Sequence, residues 1–253
     1  MNRIDVIKGI RDKLNSGGYS IGSWMQIPNS SIAEIMGCSG YDWVAVDMEH
    51  GAISVYQLPD LFRALELGGT LPLVRLAEGG TGECKQALDA GAGGVIVPMV
   101  ESDSQLQQTR NYCCWPPSGT RGVAFSRANM FGGSFENYVE EAQAPLLIAM
   151  IESARGLENI DQILSVKGLD AILVGPYDLS ASLGVTGQFE CKKFIDALAV
   201  ISNAAKVKEI PLGIHVVQPS RDELRSRINQ GYRFIAYSID AVMLRSQANY
   251  KNS

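Results

Sequence analysis

Eight short apolar runs, each bounded by turn residues, set the frame of this chain. They fall at 20–25, 43–47, 71–75, 94–98, 146–151, 171–174, 212–216 and 234–237, with helical patterns between them. Short apolar runs alternating with helices read as buried parallel strands joined by crossovers. Eight such units in 253 residues favour a closed (β/α)₈ barrel over an open sheet. No linker divides the chain, so residues 1–253 are expected to form one domain. An amphipathic helix over 3–15, stopped by Ser16-Gly17-Gly18, precedes the first strand as an N-terminal cap, and a last helix is expected over 240–250.

Composition removes several classes of function. A net charge of -5 offers nucleic acid no electrostatic footprint. No apolar run approaches the ~20 residues of a membrane span. The opening MNRIDVIKGIRDKL lacks the apolar core of a secretory signal, so the expected compartment is the cytoplasm. The five cysteines are odd in number and form no C-x-x-C, which suits free thiols better than disulfides or a zinc site.

In such a barrel the reactive groups sit at the C-terminal ends of the strands. Those ends carry Trp24 and Gln26, then Asp47, Glu49 and His50, then Arg75, Glu152, Asp178 and His215. The pair Glu152 and Asp178 ends two successive parallel strands and should share one rim. Two carboxylates there suit either Mg²⁺ or Mn²⁺ or an acid/base pair, although capping of the following helix explains Asp178 alone.

Arg75 ends a buried strand and needs an anionic mate: a substrate carboxylate or keto oxygen, Glu152, or Asp178. His50 is a base or a hydrogen-bonded structural residue; Asp89, ending the third of the helices between strands, could orient it, a contact that sequence does not show. His215 has less around it to support a role. Arg121 and Arg127, in a long loop over 115–133, form a second anion-binding feature or are solvated. The Gly175-Pro176 turn offers backbone N–H groups to a carboxylate. No lysine falls on a strand, which argues against a Schiff base, and neither a P-loop nor a G-x-G-x-x-G after a strand is present.

Six stretches stand out together: YDWVAVDMEH over 41–50, LVR over 73–75, VPMVES over 97–102, WPPSGTRGV over 115–123, IESARGLENIDQIL over 151–164 and GPYDLSASLG over 175–184. In this order they resemble the HpcH/HpaI aldolase family of metal-dependent class II pyruvate aldolases. The resemblance implies that Glu152 and Asp178 bind Mg²⁺ or Mn²⁺, or else Co²⁺. It gives Arg75 the pyruvyl oxygen, His50 the acid/base role with Asp89 as its partner, and Gly175, Pro176, Tyr177 and Asp178 the substrate carboxylate. The substrates it implies are a 2-oxo acid and an aldehyde, with 125–133 part of the aldehyde-binding surface. It also implies trimers or hexamers in which the last helix is exchanged between subunits. The expected reaction is cleavage of a 4-hydroxy-2-oxo acid, such as 4-hydroxy-2-oxoheptanedioate or a 2-dehydro-3-deoxy sugar acid, to pyruvate and an aldehyde. A CoA-thioester lyase of the citryl or malyl type and a catalytically inactive metabolite-binding barrel are the alternatives.

Overall fold

Eight parallel strands follow one another around a closed barrel in the computed structural model, which describes residues 1–249. They are β1 Ser20–Met25, β2 Trp43–Asp47, β3 Leu71–Arg75, β4 Gly94–Val97, β5 Leu146–Ile151, β6 Ala171–Val174, β7 Leu212–Val216 and β8 Phe234–Ile239. Twelve α-helices accompany them among the described residues. In chain order these are α1 Arg3–Asn15, α2 Ser30–Gly37, α3 Leu58–Leu67, α4 Thr81–Asp89, α5 Asp103–Cys113 and α6 Phe135–Gln143. Then come α7 Ala154–Glu158, α8 Ile160–Ile163, α9 Pro176–Ser182, α10 Lys192–Val207, α11 Arg221–Asn229 and α12 Asp240–Ala248.

The barrel interior is filled by inward-facing side chains. Trp43 and Ala45 of β2, Leu71 and Leu73 of β3, Leu146, Ile148 and Met150 of β5, and Phe234 of β8 form one buried cluster. Ile7, Ile10 and Leu14 of α1 join it, so α1 plugs the end of the barrel where the strands begin. Ion pairs from Arg3 to Glu141, Arg11 to Asp170 and Lys13 to Asp42 tie this plug to the rim. The outward-facing residues pack in a second cluster against the ring of helices.

Side chains alternate in and out along a strand. The interior series Trp43, Ala45 therefore continues to Asp47, Leu71, Leu73 to Arg75, and Leu146, Ile148, Met150 to Glu152. The same periodicity carries Gly213 to His215 on β7. Each strand that feeds the site is apolar until its last inward position and polar there.

Departures from the sequence reading are local. The crossover after β5 carries two short helices, α7 and α8, because the Ser153 hydroxyl caps the first and the chain leaves helical geometry at Asn159. Strand β8 runs two residues further than expected, to Ile239, and its pairing with β1 is interrupted between Gly22 and Trp24. The end of the helix expected over 240–250, at Tyr250, lies outside the described residues.

The long segment over 115–133 is ordered by its own packing. Trp115 is buried against Phe135 and Tyr138, and a 3₁₀ segment spans Arg127–Gly132. It connects α5 to α6 at the plugged end, where Arg127 donates to the Ala90 carbonyl and pairs with Glu66. Within one chain, then, 125–133 lies at the opposite end from the C-terminal rim.

The tightest point of the barrel is the Trp43 ring, stacked on Phe234 with centroids 4.4 Å apart. A Cβ on Gly22 would lie 2.0 Å from that ring. Gly22→Ala is expected to destabilise the fold by about 1–3 kcal/mol, as overpacking does, read from the denaturation midpoint at unchanged slope.

Candidate active site

The C-terminal rim is built on Arg75, which the β2–β3 register sets directly opposite Asp47. The fork is bidentate: Arg75 Nε donates to Asp47 Oδ1 at 2.8 Å and Nη2 to Oδ2 at 2.6 Å, both residues being buried. Nη1 pairs with Glu49 Oε2 at 2.8 Å. The guanidinium also lies over the Trp24 ring, 5.2 Å from its centroid. Burial works against ionisation of Asp47, but the hydrogen bonds and charge of Arg75, with help from Gln26 and the His50 N–H, hold its carboxyl below the ordinary carboxylate range. The expected anionic mate of Arg75 is therefore not Glu152 or Asp178. It is Asp47, with Glu49 beside it.

Asp47 positions more than the arginine. Its Oδ1 accepts from the backbone N–H groups of Glu49 and His50, each at 3.1 Å, and its Oδ2 accepts from Gln26 Nε2 at 2.9 Å. The loop carrying Gln26 is held in turn by Asp240, whose carboxylate accepts from the backbone of Gln26 and Ile27 at 2.9 Å.

Glu152 follows β5, and the β5–β6 register of Ile151 with Val174 sets it beside Gly175. Its Oε1 accepts the Met99 N–H at 2.7 Å; Met99 reaches this position with φ at 46°, in the left-handed region that disfavours side chains. Its Oε2 is buried with no hydrogen-bond partner among the described residues. Desolvation is the main force on this carboxyl, and the neighbouring charges of Asp178 and Glu49 add to it, pushing its pKa up to about 7. Gly175 permits the approach, since a Cβ there would fall 2.3 Å from Oε2. Asp178 is exposed in the first turn of α9, after Pro176.

An unpartnered buried carboxylate oxygen beside a second carboxylate is the donor set that a hard divalent cation satisfies. The two-carboxylate site stands without a third protein ligand: no group of three or more His, Cys, Asp or Glu residues suited to a metal occurs among the described residues.

A cavity of about 190 Å³ opens among these groups, lined in part by Trp24, His50, Arg75, Gly175, Asp178 and His215. His50 is exposed at its edge. His215, half-buried, lines its wall. Its ring lies against Trp24 at 5.0 Å, and Nε2 donates to the Ser238 carbonyl at 3.1 Å. Burial is the largest influence on His215 and lowers its pKa to about 4, which leaves the imidazole neutral.

Asp89 is the site residue that the fold does not bring to the rim. Helix α4 runs back along the outside of the barrel, so its last residue lies at the plugged end. There Asp89 is 3.8 Å from Arg121, a buried residue that also donates to the Tyr138 hydroxyl at 3.0 Å. Within one chain Asp89 does not orient His50. Arg121 and Arg127 both lie at that end, neither solvated nor among the residues that line the cavity. What the sequence reading missed was the set of backbone contacts at Met99 and Ser238. The reach of Asp47 was legible, since the strand ends alone align it with Arg75.

Residues 20–246 match the HpcH/HpaI aldolase/citrate lyase family. A hydroxypyruvate/pyruvate aldolase of Roseobacter denitrificans is 35% identical over 237 residues, which cover 92% of this chain and 91% of that protein. A 2-dehydro-3,6-dideoxy-6-sulfogluconate aldolase of Pseudomonas putida is 36% identical over 232 residues, covering 90% and 89%. The crystal structure of an HpcH/HpaI aldolase/citrate lyase family protein from Burkholderia cenocepacia superposes with a TM-score of 0.88 at 30% identity, covering 94% of this chain and 96% of that one. The chain belongs to the HpcH/HpaI aldolase/citrate lyase family. It is an aldolase, a carbon–carbon lyase, of a family whose class II chemistry depends on a metal. Among the described residues no helix is long and apolar enough to cross a membrane.

The raised pKa of Glu152 has a consequence for the metal-free protein. The folded value lies above the unfolded one, so the native state holds a proton that the unfolded chain has lost, and stability declines as pH rises from about 4.5 through about 7. Glu152→Gln removes that burden. With chelator present, the variant is expected to exceed the wild type by up to about 3 kcal/mol at pH 8, with the gap closing toward pH 5. Thermal or urea unfolding across this pH range checks it.

Proposed function

We propose that this chain reversibly cleaves a 4-hydroxy-2-oxo acid to pyruvate and an aldehyde, with Mg²⁺ or Mn²⁺ held by Glu152 and Asp178. The observation that carries the reading is the unpartnered, buried Oε2 of Glu152, set against Gly175 and within the influence of the Asp178 charge, behind the cavity that Gly175, Asp178, Arg75 and His50 line. A cavity of about 190 Å³ suits a small 2-oxo acid. The names of the relatives support the reaction class and leave the aldehyde open, one acting on a sulfonated sugar acid and another on hydroxypyruvate or pyruvate.

When bound, the cation supplies Lewis-acid polarisation of the substrate's keto oxygen. Arg75 has five N–H donors; two serve Asp47 and one faces Glu49, which leaves two for that oxygen as it gains charge. The N–H groups of Tyr177 and Asp178, in the first turn of α9 where the helix provides no acceptors, hold the carboxylate. In cleavage His50 removes the proton of the C4 hydroxyl. The C3–C4 bond then breaks, its electron pair passes through C2 to the keto oxygen, and C3 takes up a proton to give pyruvate.

The opposite rim enters this reading through a second copy. Asp89 and 125–133 share that rim, and it exposes Val123, Phe125, Met130 and Phe131. Clustered exposed apolar residues of this kind call for cover. A neighbouring subunit that set this rim over the cavity mouth would bring Asp89 and an aldehyde-binding wall to His50, consistent with a trimer or hexamer in which the last helix is exchanged.

Pyruvate release from a 4-hydroxy-2-oxo acid is expected to stop on chelation and return with Mg²⁺ or Mn²⁺. Activity that survives thorough chelation would sink the assignment. Glu152→Ala is expected to lose metal binding by calorimetry while remaining folded. His50→Ala should bind metal normally yet lose about 10²–10⁴-fold in kcat, the range for removal of a general acid/base.

A further inference from the structure

Among the charged and imidazole groups that line the cavity, Arg75, His50 and Asp178 have roles in the proposed reaction and His215 has none. Its position is elaborately supported. The β1–β8 pairing skips between Gly22 and Trp24, so β8 carries a bulge at the level of Tyr237 and Ser238. Ser238 sits there with φ at 58°, a conformation that costs free energy for a residue with a side chain. Its hydroxyl donates to the Val217 carbonyl at 3.0 Å, and its own carbonyl, freed from the ladder, receives His215 Nε2 at 3.1 Å. Bulges beside active sites serve to re-aim groups in this way.

A carbonyl oxygen only accepts, so Nε2 carries the proton and Nδ1 is left with a lone pair. No group among the described residues donates to it. Packing alone would not require this arrangement, because a leucine fills the same space without the bulge or the strained serine.

The substrate reading, on which the inference rests, says what Nδ1 meets. Of the three substituents on C2, the carboxylate goes to the Gly175–Asp178 turn and the keto oxygen to Arg75. The remaining wall is Trp24, Gln26, Met150, His215, Val217 and Ile239, and C3 faces it. Beside His215, its polar groups are the Gln26 amide, whose N–H is engaged by Asp47, and the Trp24 indole N–H, which only donates. We propose that His215 recognises a hydroxyl on C3 of the 2-oxo acid, with Nδ1 accepting the hydroxyl proton while the Ser238 carbonyl holds the opposite edge of the ring. The bond to the Ser238 carbonyl fixes this tautomer, so the Nδ1 lone pair is the free one. The preferred three-carbon partner is then hydroxypyruvate, and the products of addition carry a hydroxyl on C3.

Three donors separate the outcomes: pyruvate, hydroxypyruvate, and 2-oxobutyrate, whose C3 methyl matches the hydroxyl in size. With one aldehyde and saturating Mg²⁺, kcat/KM for the wild type is expected to favour hydroxypyruvate over 2-oxobutyrate by at least tenfold, expressed mainly in KM. In His215→Leu that ratio should fall at least tenfold and approach or pass unity. His215→Gln, which retains a donor for Ser238 and an acceptor beside it, should recover part of the preference. Equilibrium binding of the same acids to the Mg²⁺-loaded variants gives the comparison even where turnover is poor. A ratio unchanged in His215→Leu, or a wild type that takes 2-oxobutyrate as well as hydroxypyruvate, overturns the role of His215. Failure of the wild type to use any of the three donors overturns the aldolase reading itself.

Discussion

The buried pair between Arg75 and Asp47 is the contact on which the rim depends. Two charges withdrawn from water are tolerated only when geometry and further hydrogen bonds compensate, and removal of one partner from such a pair costs about 3–5 kcal/mol. Here compensation is complete on the Asp47 side: two bonds from the guanidinium, one from Gln26 and two from the backbone that leads to His50. One carboxylate thereby fixes both the guanidinium that lines the cavity and the turn that carries His50. The strand register does the rest, since it places the two residues side by side before any side chain is considered.

Two further devices work through the backbone. Met99, at φ 46°, gives its N–H to Glu152, and Ser238, at φ 58°, gives its carbonyl to His215. In each case a strained residue just beyond or within a strand supplies a fixed dipole to a polar side chain of the rim. Such strain persists only where the surroundings over-determine it. The surroundings here are the barrel strands themselves.

Much of this was legible in the sequence, and for a physical reason. Strand interiors alternate, so a polar residue at the last inward position of an apolar run stands out, and Asp47, Arg75, Glu152 and His215 all do. Their convergence follows from barrel closure. The placement of Asp89 was not legible, because a residue at the end of a helix sits on the far rim of its own barrel, and resemblance alone does not say from which copy it acts. The mate of Arg75 was misread for a different reason: attention fell on the carboxylates of later strands, while the nearest one lay across a single ladder rung. Backbone conformation at Met99 and Ser238 leaves no mark in residue type, so neither contact could be seen in advance.

The α1 plug has a kinetic meaning. With Ile7, Ile10 and Leu14 packed into the start of the barrel, that end offers the cavity no through-route. Traffic through a well closed at one end is last in, first out. Under the proposed reaction, a three-carbon acid seated against Arg75 and the Trp24–His215 wall would enter before the aldehyde and leave after it, an order that the chemistry itself does not require.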